Sequence, residues 1–408
     1  MANASVDSQV LMARQPIFDA KQRVVAYELL YRSEGNAAEA VFRGNNATSE
    51  VLLNAYTSIA DEGELKRVPA FINLTYDIVV DGTIPDLPRK QVVLELLEDA
   101  PVDNKFIEAV TQLALEGYRI ALDDFTYDPK YDPLLKIAHI VKIDVMEHDK
   151  AAVDDIIKKV TPFKVTLLAE KIETYEKLEE CLGQGFKLFQ GHFLSKPQVI
   201  KGRKLSTSQL ALMQLMQALQ QPNVKPDELE RLIVQDPILT YKLLRIVNSA
   251  ANALVRQVDS IKQAIVLLGI PQVKKWVTLI ACTSNPGKPQ ELSRQLLIRG
   301  RMAELIAENT AIPQTAGYFM AGMMSGLDAL LDLEKQQILA DVPLGDDIKE
   351  AISTGSGEIG AVLNNVMHFE NGDWDLLPMD FDADLYDSAY KDALNWTLEA
   401  MQALNESD

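Results

Sequence analysis

Through the first half of the chain, short apolar runs alternate with stretches whose apolar residues recur at helical spacing. Val10 to Phe18 and Arg23 to Tyr31 read as two early strands, with Asp19-Ala20-Lys21-Gln22 as the turn between them. Thr48 is placed to cap a helix carrying Val51, Leu52, Ala55 and Ile59 on one face. Ala70 to Asn73 and Val92 to Leu96 follow as strands, separated by a loop with Pro85 and Pro88. Asp103 or Asn104 caps a helix that turns Phe106, Ile107, Val110, Leu113 and Ala114 inward and closes near Gly117. Further strands are predicted from Ile120 to Asp123, Ile140 to Asp144, Val165 to Glu170 and Phe186 to Gln190. Between them fall a short helical piece, a helix from Ala151 to Val160, and one capped by Thr174 that ends near Gly183.

This alternation predicts parallel βαβ units. The polar residues then stand out, because Glu28, Asn73, Glu95, Asp123, Asp124, Lys142, Asp144, Glu170 and Gln190 each lie within or at the end of an apolar strand. A single one would read as a hydrogen-bonded core polar group or a cap, and a lone Asp-Asp pair as a solvated loop. Six strands in succession are hard to explain by packing alone. A barrel brings the carboxyl ends of its parallel strands to one face, where these groups would converge. Residues 8 to about 200 therefore read as a TIM-like (β/α)8 barrel that tolerates one irregular strand.

At this point the chain resembles the EAL domain family. The resemblance rests on Gln15-Pro16-Ile17, Glu28-Leu29-Leu30-Tyr31-Arg32, Phe71-Ile72-Asn73-Leu74, Leu94-Glu95-Leu96-Leu97-Glu98, Asp123-Asp124-Phe125, Lys142-Ile143-Asp144, Ala169-Glu170-Lys171-Ile172-Glu173-Thr174 and Gln190-Gly191 through Ser195-Lys196-Pro197. Eight motifs occur in order across about 190 residues. The family implies a modified TIM barrel that hydrolyses cyclic di-GMP to linear pGpG with two divalent cations, Mg2+ or Mn2+. By that resemblance Glu28, Asn73, Glu95 and Asp123 hold the first metal, and Asp123 and Asp124 the second. Lys142 and Glu170 handle the attacking water and Gln190 helps to position it. Arg32 contacts a substrate phosphate, Gln15 joins it in binding substrate, and Glu98 and Asp144 support the site.

The chemistry fits these residue types. Hydrolysis of a phosphodiester drives a nucleophile onto an anionic centre, and two hard cations ~3.5–4 Å apart would neutralise that charge and acidify water. Hard cations take oxygen ligands, so carboxylates and an Asn amide suit them, whereas His and Cys would suggest zinc or another transition metal. His139, His148, His192 and His368 are scattered, with His192 a candidate to line the site.

Composition narrows the partners. The 408 residues carry 40 basic and 59 acidic side chains, a net charge of −19, which argues against duplex DNA or an anionic membrane as partner. Cys181 and Cys282 suggest no disulfide framework, and no apolar run approaches membrane-spanning length, so a cytoplasmic location is expected.

Two departures from the family pattern matter. Leu29 replaces a small Ala in the signature, and Thr126-Tyr127-Asp128-Pro129 stands where a Gly-rich turn is usual. In the family that loop is associated with second-metal placement and dimerisation, so strained backbone is expected there and a homodimer is open to question.

Beyond a linker at 201–205, residues 206–408 predict helices only. Ser208 leads into one, Asp227 into another, Asp236-Pro237 starts a third, and Ser260 opens a stripe of Ile261, Ile265 and Leu268 closed by Gly269 before Pro271 starts the next. Asp236-Pro237-Ile238-Leu239, Leu244-Arg245-Ile246-Val247-Asn248-Ser249 and Ala264-Ile265-Val266-Leu267-Leu268-Gly269 resemble the HDOD domain. Catalytic HD relatives place adjacent His and Asp on a helix for metal, but this chain reads Gly322-Met323-Met324-Ser325-Gly326-Leu327-Asp328. The expectation is a regulatory module without hydrolytic activity, docking on the barrel or on an outside protein partner. The whole chain resembles two-domain EAL–HDOD signalling proteins, read either as a phosphodiesterase or as a cyclic di-GMP receptor or scaffold with little turnover.

Overall fold

Eight strands close a barrel in chain order: β1 (Val10–Asp19), β2 (Val24–Ser33), β3 (Ala70–Leu74), β4 (Val92–Leu96), β5 (Arg119–Leu122), β6 (Ile140–Asp144), β7 (Thr166–Glu170) and β8 (Leu188–Gln190). The computed structural model describes residues 10–33, 68–195, 225–234, 237–248, 258–283, 288–310, 312, 315–332, 334–336, 339 and 344–405. The helices expected after Thr48 and Ser208, and Lys196 and Pro197 of the last motif, lie outside the described residues.

The irregular strand is β1, which pairs antiparallel with both β2 and β8, while β2 to β8 pair in parallel. The cause is the short connection between β1 and β2, since parallel neighbours need a crossover of a dozen residues or more. Asp19 ties that turn, accepting hydrogen bonds from the Lys21 and Arg23 amides at 2.8 and 3.0 Å.

A buried layer of Ile17, Ala26, Phe71, Val93, Ala121, Ile140 and Leu168 fills the barrel, with Leu188 packed against it. Strand side chains alternate faces with period two, so residues two further toward the carboxyl face also point inward. Those residues are Glu28, Asn73, Glu95, Asp123, Lys142, Glu170 and Gln190. Because β1 runs the other way, its contribution is two residues earlier, at Gln15, which pairs in register with Glu28. The barrel thus stacks a ring of polar side chains directly on an apolar plug.

Flanking helices follow the predicted caps. In the barrel unit these are α1 (Tyr76–Val80), α2 (Asn104–Leu115), α3 (Asp132–Leu135), α4 (Lys150–Val160) and α5 (Tyr175–Gln184). Asp103, not Asn104, caps α2 by accepting from the Phe106 amide at 2.9 Å, and Thr174 caps α5 through the Lys177 amide. Phe106 and Val110 are buried, whereas Ile107, Leu113 and Ala114 are only half-buried. The end of α5 lies at Gln184, with Gly185 rather than Gly183 as its left-handed cap.

The chain divides into two units, residues 1–193 with 370–375, and residues 194–369 with 376–408. The second is helical among its described residues: α6 (Pro226–Val234), α7 (Pro237–Val247), α8 (Ile261–Thr283), α9 (Gln290–Asn309), α10 (Ala316–Met324), α11 (Leu327–Leu331), α12 (Asp346–Thr354), α13 (Gly357–Asn371), whose last two residues fall in the barrel unit, and α14 (Ala383–Asn405). Within α8 the backbone breaks at Gly269, with φ 79° and ψ 160°, and Pro271 follows, so the helix is two segments meeting at a kink. Trp276 is fully buried and stacks on Trp396 at 5.2 Å, with Phe319 edge-on to Trp396. Met323 and Met324 belong to the same core. The acidic tail packs through its aromatic residues, Phe381 and Tyr386 lying 4.3 Å apart and both flanking buried Phe369.

Candidate active site

Lys142, 1% exposed on β6, is the centre of the polar ring. Its Nζ lies 2.7 Å from Glu95 Oε1, 2.7 Å from Asp123 Oδ1, 2.8 Å from Glu170 Oε1 and 3.1 Å from Glu28 Oε2. An ammonium has three N–H donors, so four carboxylates cannot all receive a full hydrogen bond from it. Gln190 Nε2 donates to Glu28 Oε2 and Gln15 Oε1, each at 2.7 Å, and Asn73 Nδ2 donates to Glu28 Oε1 at 3.3 Å. The sequence-predicted residues Gln15, Glu28, Asn73, Glu95, Asp123, Lys142, Glu170 and Gln190 are therefore brought together.

Others stand apart from this knot. Asp123 lies one residue beyond β5 rather than within it, although its amide still donates to Leu96 O at 3.0 Å. Asp124 points to Lys171 instead, 3.7 Å from its Nζ. Asp144 accepts from the amides of Met146 and Glu147 at 2.7 and 3.1 Å and pairs with Lys171 at 2.5 Å. Glu98 is exposed on the loop after β4, where burial of its carboxyl and the charges of Asp124 and Asp123 push it upward. Arg32 falls on β2, with its side chain outside the described residues. His192 is exposed beside Gly191. Lys171, which follows Glu170 in the sequence, joins these outer acids, and a lone basic residue beside the strand-end Glu is the local signal for it.

The altered loop is less strained than its composition suggests. Thr126, Tyr127 and Asp128 keep negative φ, and Asp128 caps the turn Pro129–Tyr131 through the Lys130 amide at 2.9 Å. The left-handed residue is Asp124, at φ 39°. A cavity of ≈ 170 Å³ opens beside it, lined by Leu96, Ala100, Phe106, Phe125 and Tyr131. That is below the ~300–1,000 Å³ of ordinary ligand pockets.

Electrostatics follow from one lysine among four carboxylates. Burial opposes the Lys142 charge, but its acidic neighbours outweigh that and raise it well above the usual lysine range. Glu28 also loses hydration, yet Lys142, Gln190 and Asn73 hold it below the usual carboxylate range. Burial pushes Glu95 far up, reinforced by Glu28, and pushes Asp123 up as well. Glu170 is pushed from its ordinary 4.5 to about 8, chiefly by burial.

The same crowding of acids bears on metal fit. Among the described residues no three Asp, Glu, His or Cys side chains stand around a common position ready for a cation, because the carboxylates close on Lys142. The donor set nevertheless suits a hard divalent cation. It is all oxygen, it carries more carboxylates than its one ammonium neutralises, and the buried Glu95 Oε2 and Glu170 Oε2 have no hydrogen-bond partner among the described residues.

A stability prediction follows. A carboxyl raised in the folded state stabilises the fold while protonated, and that contribution is lost between its unfolded and folded pKa values. For Glu170 the window runs from 4.5 to about 8. Without added metal, the melting temperature is expected to fall as pH rises through this window, and Glu170→Gln to flatten the fall. An equally steep profile in the variant, followed by calorimetry in a chelating buffer, would remove Glu170 as the cause.

An antiparallel first strand, a lysine-centred acidic knot at the barrel mouth and a following helical domain agree with the two-domain EAL–HDOD signalling proteins that the motifs resemble. The chain belongs to that family. Its residues 205–339 match the HDOD domain. It is 36% identical over 368 residues to the cyclic di-GMP phosphodiesterase CdgJ of Vibrio cholerae, covering 89% of this chain and 85% of that one. It is 32% identical over 409 residues to the Bacillus subtilis protein YuxH, covering 97% of this chain and all of YuxH. Among solved structures it is similar to the EAL enzyme Bd1971 with bound cAMP and cyclic di-GMP, at 21% identity and a TM-score of 0.38. That alignment covers 46% of this chain and 62% of the other, less than two thirds of its length.

In the helical domain, the position of the missing His-Asp dyad serves packing. Ser325 Oγ donates to Gly322 O at 2.7 Å and accepts from Arg299 Nη1 at 2.8 Å. Among the described residues no helix is long and apolar enough to cross a membrane.

Proposed function

We propose that the barrel, residues 8–200, hydrolyses cyclic di-GMP to pGpG with Mg2+ or Mn2+, and that residues 206–408 form a non-catalytic regulatory domain joined by a linker at 201–205. The observation that carries this reading is the convergence of Glu28, Glu95, Asp123 and Glu170 on Lys142 with buried oxygens left over. The name of the Vibrio relative supports the substrate. Glu28, Asn73, Glu95, Asp123 and Asp124 would hold the cations. Bound there, they would supply positive charge against the phosphodiester and lower the pKa of water.

The chain's own residues do the rest. Glu170, with one oxygen held by Lys142 and the buried Oε2 left over among the described residues, is assigned as the base that takes a proton from water. Lys142 holds Glu170 Oε1 in place and offers fixed positive charge to an anionic transition state. Gln190, anchored on Glu28 and Gln15, is assigned to help position that water. Arg32 is assigned to a substrate phosphate and Gln15 to substrate binding, with Glu98 and Asp144 supporting the site.

The second reading, a receptor or scaffold without useful turnover, is favoured by one observation: the carboxylates close on Lys142 rather than around an open position. Incubation with cyclic di-GMP and Mn2+, followed by chromatography, separates the two. Formation of pGpG that disappears in Glu28→Ala is expected. Binding without product would establish the receptor instead.

A further inference from the structure

Beyond the buried knot lies a second charge cluster, made of Asp124, Asp144 and Lys171. Asp144 is buried, and Asp124 is partly exposed. The Lys171 side chain is 57% exposed, in contrast to Lys142 at 1%. Its Nζ bridges the two acids, 2.5 Å from Asp144 Oδ2 and 3.7 Å from Asp124 Oδ1.

The backbone under this bridge is unusual. Lys171 has φ 55° and Asp124 φ 39°, left-handed values at which a side chain carries a steric cost. The Lys171 turn is locked from the next strand: the Ile172 amide donates to Gln190 O at 3.0 Å, and Ile172 O accepts from the Phe193 amide at 3.0 Å. Gly191 lies against it so closely that an added Cβ would sit 2.2 Å from Ile172 O. The fold therefore presents a charged, solvent-exposed side chain from a hydrogen-bonded turn, at a position where glycine would cost less.

We propose that Lys171 is a tethered counter-ion for the outer carboxylates, and that a divalent cation binding at Asp124 must displace its ammonium. The inference rests on the metal reading of the site given above. Lys142 cannot act this way, because it is buried among four carboxylates with no route outward along solvent. Lys171 can, since its exposed stem lets the ammonium swing into water while Asp144 keeps the Met146 and Glu147 amides. Its effect is to weaken the outer cation step and leave the inner one nearly untouched.

The test is calorimetric titration of Mn2+ into the metal-stripped full chain without nucleotide. In Lys171→Met the weaker Mn2+ step is expected to tighten about tenfold, ~1.4 kcal/mol, while Lys171→Arg, which keeps the charge, stays near wild type. Lys171→Gly removes charge and backbone cost together, and is expected to tighten the same step even if Lys171→Met folds poorly. An unchanged or weakened step in both neutral variants overturns the inference and leaves the metal reading standing. Absence of Mn2+ binding in wild type and every variant overturns both.

Discussion

Lys142→Met is expected to lower the melting temperature by on the order of 10 °C, more than any other single change at the barrel mouth. The substitution keeps the stem volume and removes one charge from a site where that charge meets four carboxylates within 3.1 Å. Breaking a buried pair costs about 3–5 kcal/mol, because the remaining charges lose their partner without regaining water. Protonation relieves part of this, so the loss should grow with pH. A divalent cation relieves it too: Mn2+ is expected to raise the melting temperature of Lys142→Met more than that of wild type. Scanning both proteins with chelator and with Mn2+ checks the claim. A variant that melts like wild type in chelator would mean that Lys142 contributes no net stability. A Mn2+ shift no larger than that of wild type would mean that the carboxylates do not take the cation.

The second large effect is expected at Asp123→Asn. Under the phosphodiesterase proposal this residue serves both cations, and it touches the Lys142 ammonium at 2.7 Å. The amide preserves shape while removing the charge, so turnover of cyclic di-GMP should fall by more than about 100-fold, the upper end for loss of a supporting partner alone. Nucleotide affinity should change much less, since phosphate contacts are assigned elsewhere. Measuring pGpG formation and equilibrium binding on the same variant separates the two. Near-normal turnover would show that Asp123 does not hold a catalytic cation.

Much of the candidate site was legible because its residues follow a period of two. Phe71 to Asn73, Val93 to Glu95, Ala121 to Asp123 and Leu168 to Glu170 are each one step of strand alternation, from an apolar plug to a polar layer. A strand that is apolar on its inner face and then suddenly polar at its end announces a mouth, and several in succession announce a barrel. Caps were equally local: Asp103 and Thr174 bind amides three residues on, within reach of a single turn. The helical half was readable from its apolar spacing, down to the interruption at Gly269.

What the sequence determined by itself was the order and type of these elements and the chemistry facing the barrel mouth, because both depend on neighbours a few residues away. The four-residue turn at Asp19–Gln22 already implied a hairpin, but tertiary structure alone decided that β1 also pairs antiparallel with β8, which closes the barrel and brings Gln15 beside Gln190. It alone decided that the carboxylates close on Lys142, a geometry joining four strand ends and set by how many donors one ammonium can share. It moved the left-handed backbone from the Thr126–Pro129 loop to Asp124, and it placed Lys171, 47 positions from Asp124 and 27 from Asp144, between the two acids. Residues so far apart along the chain share no local signal; only closure of the barrel sets their distance, and with it their charge.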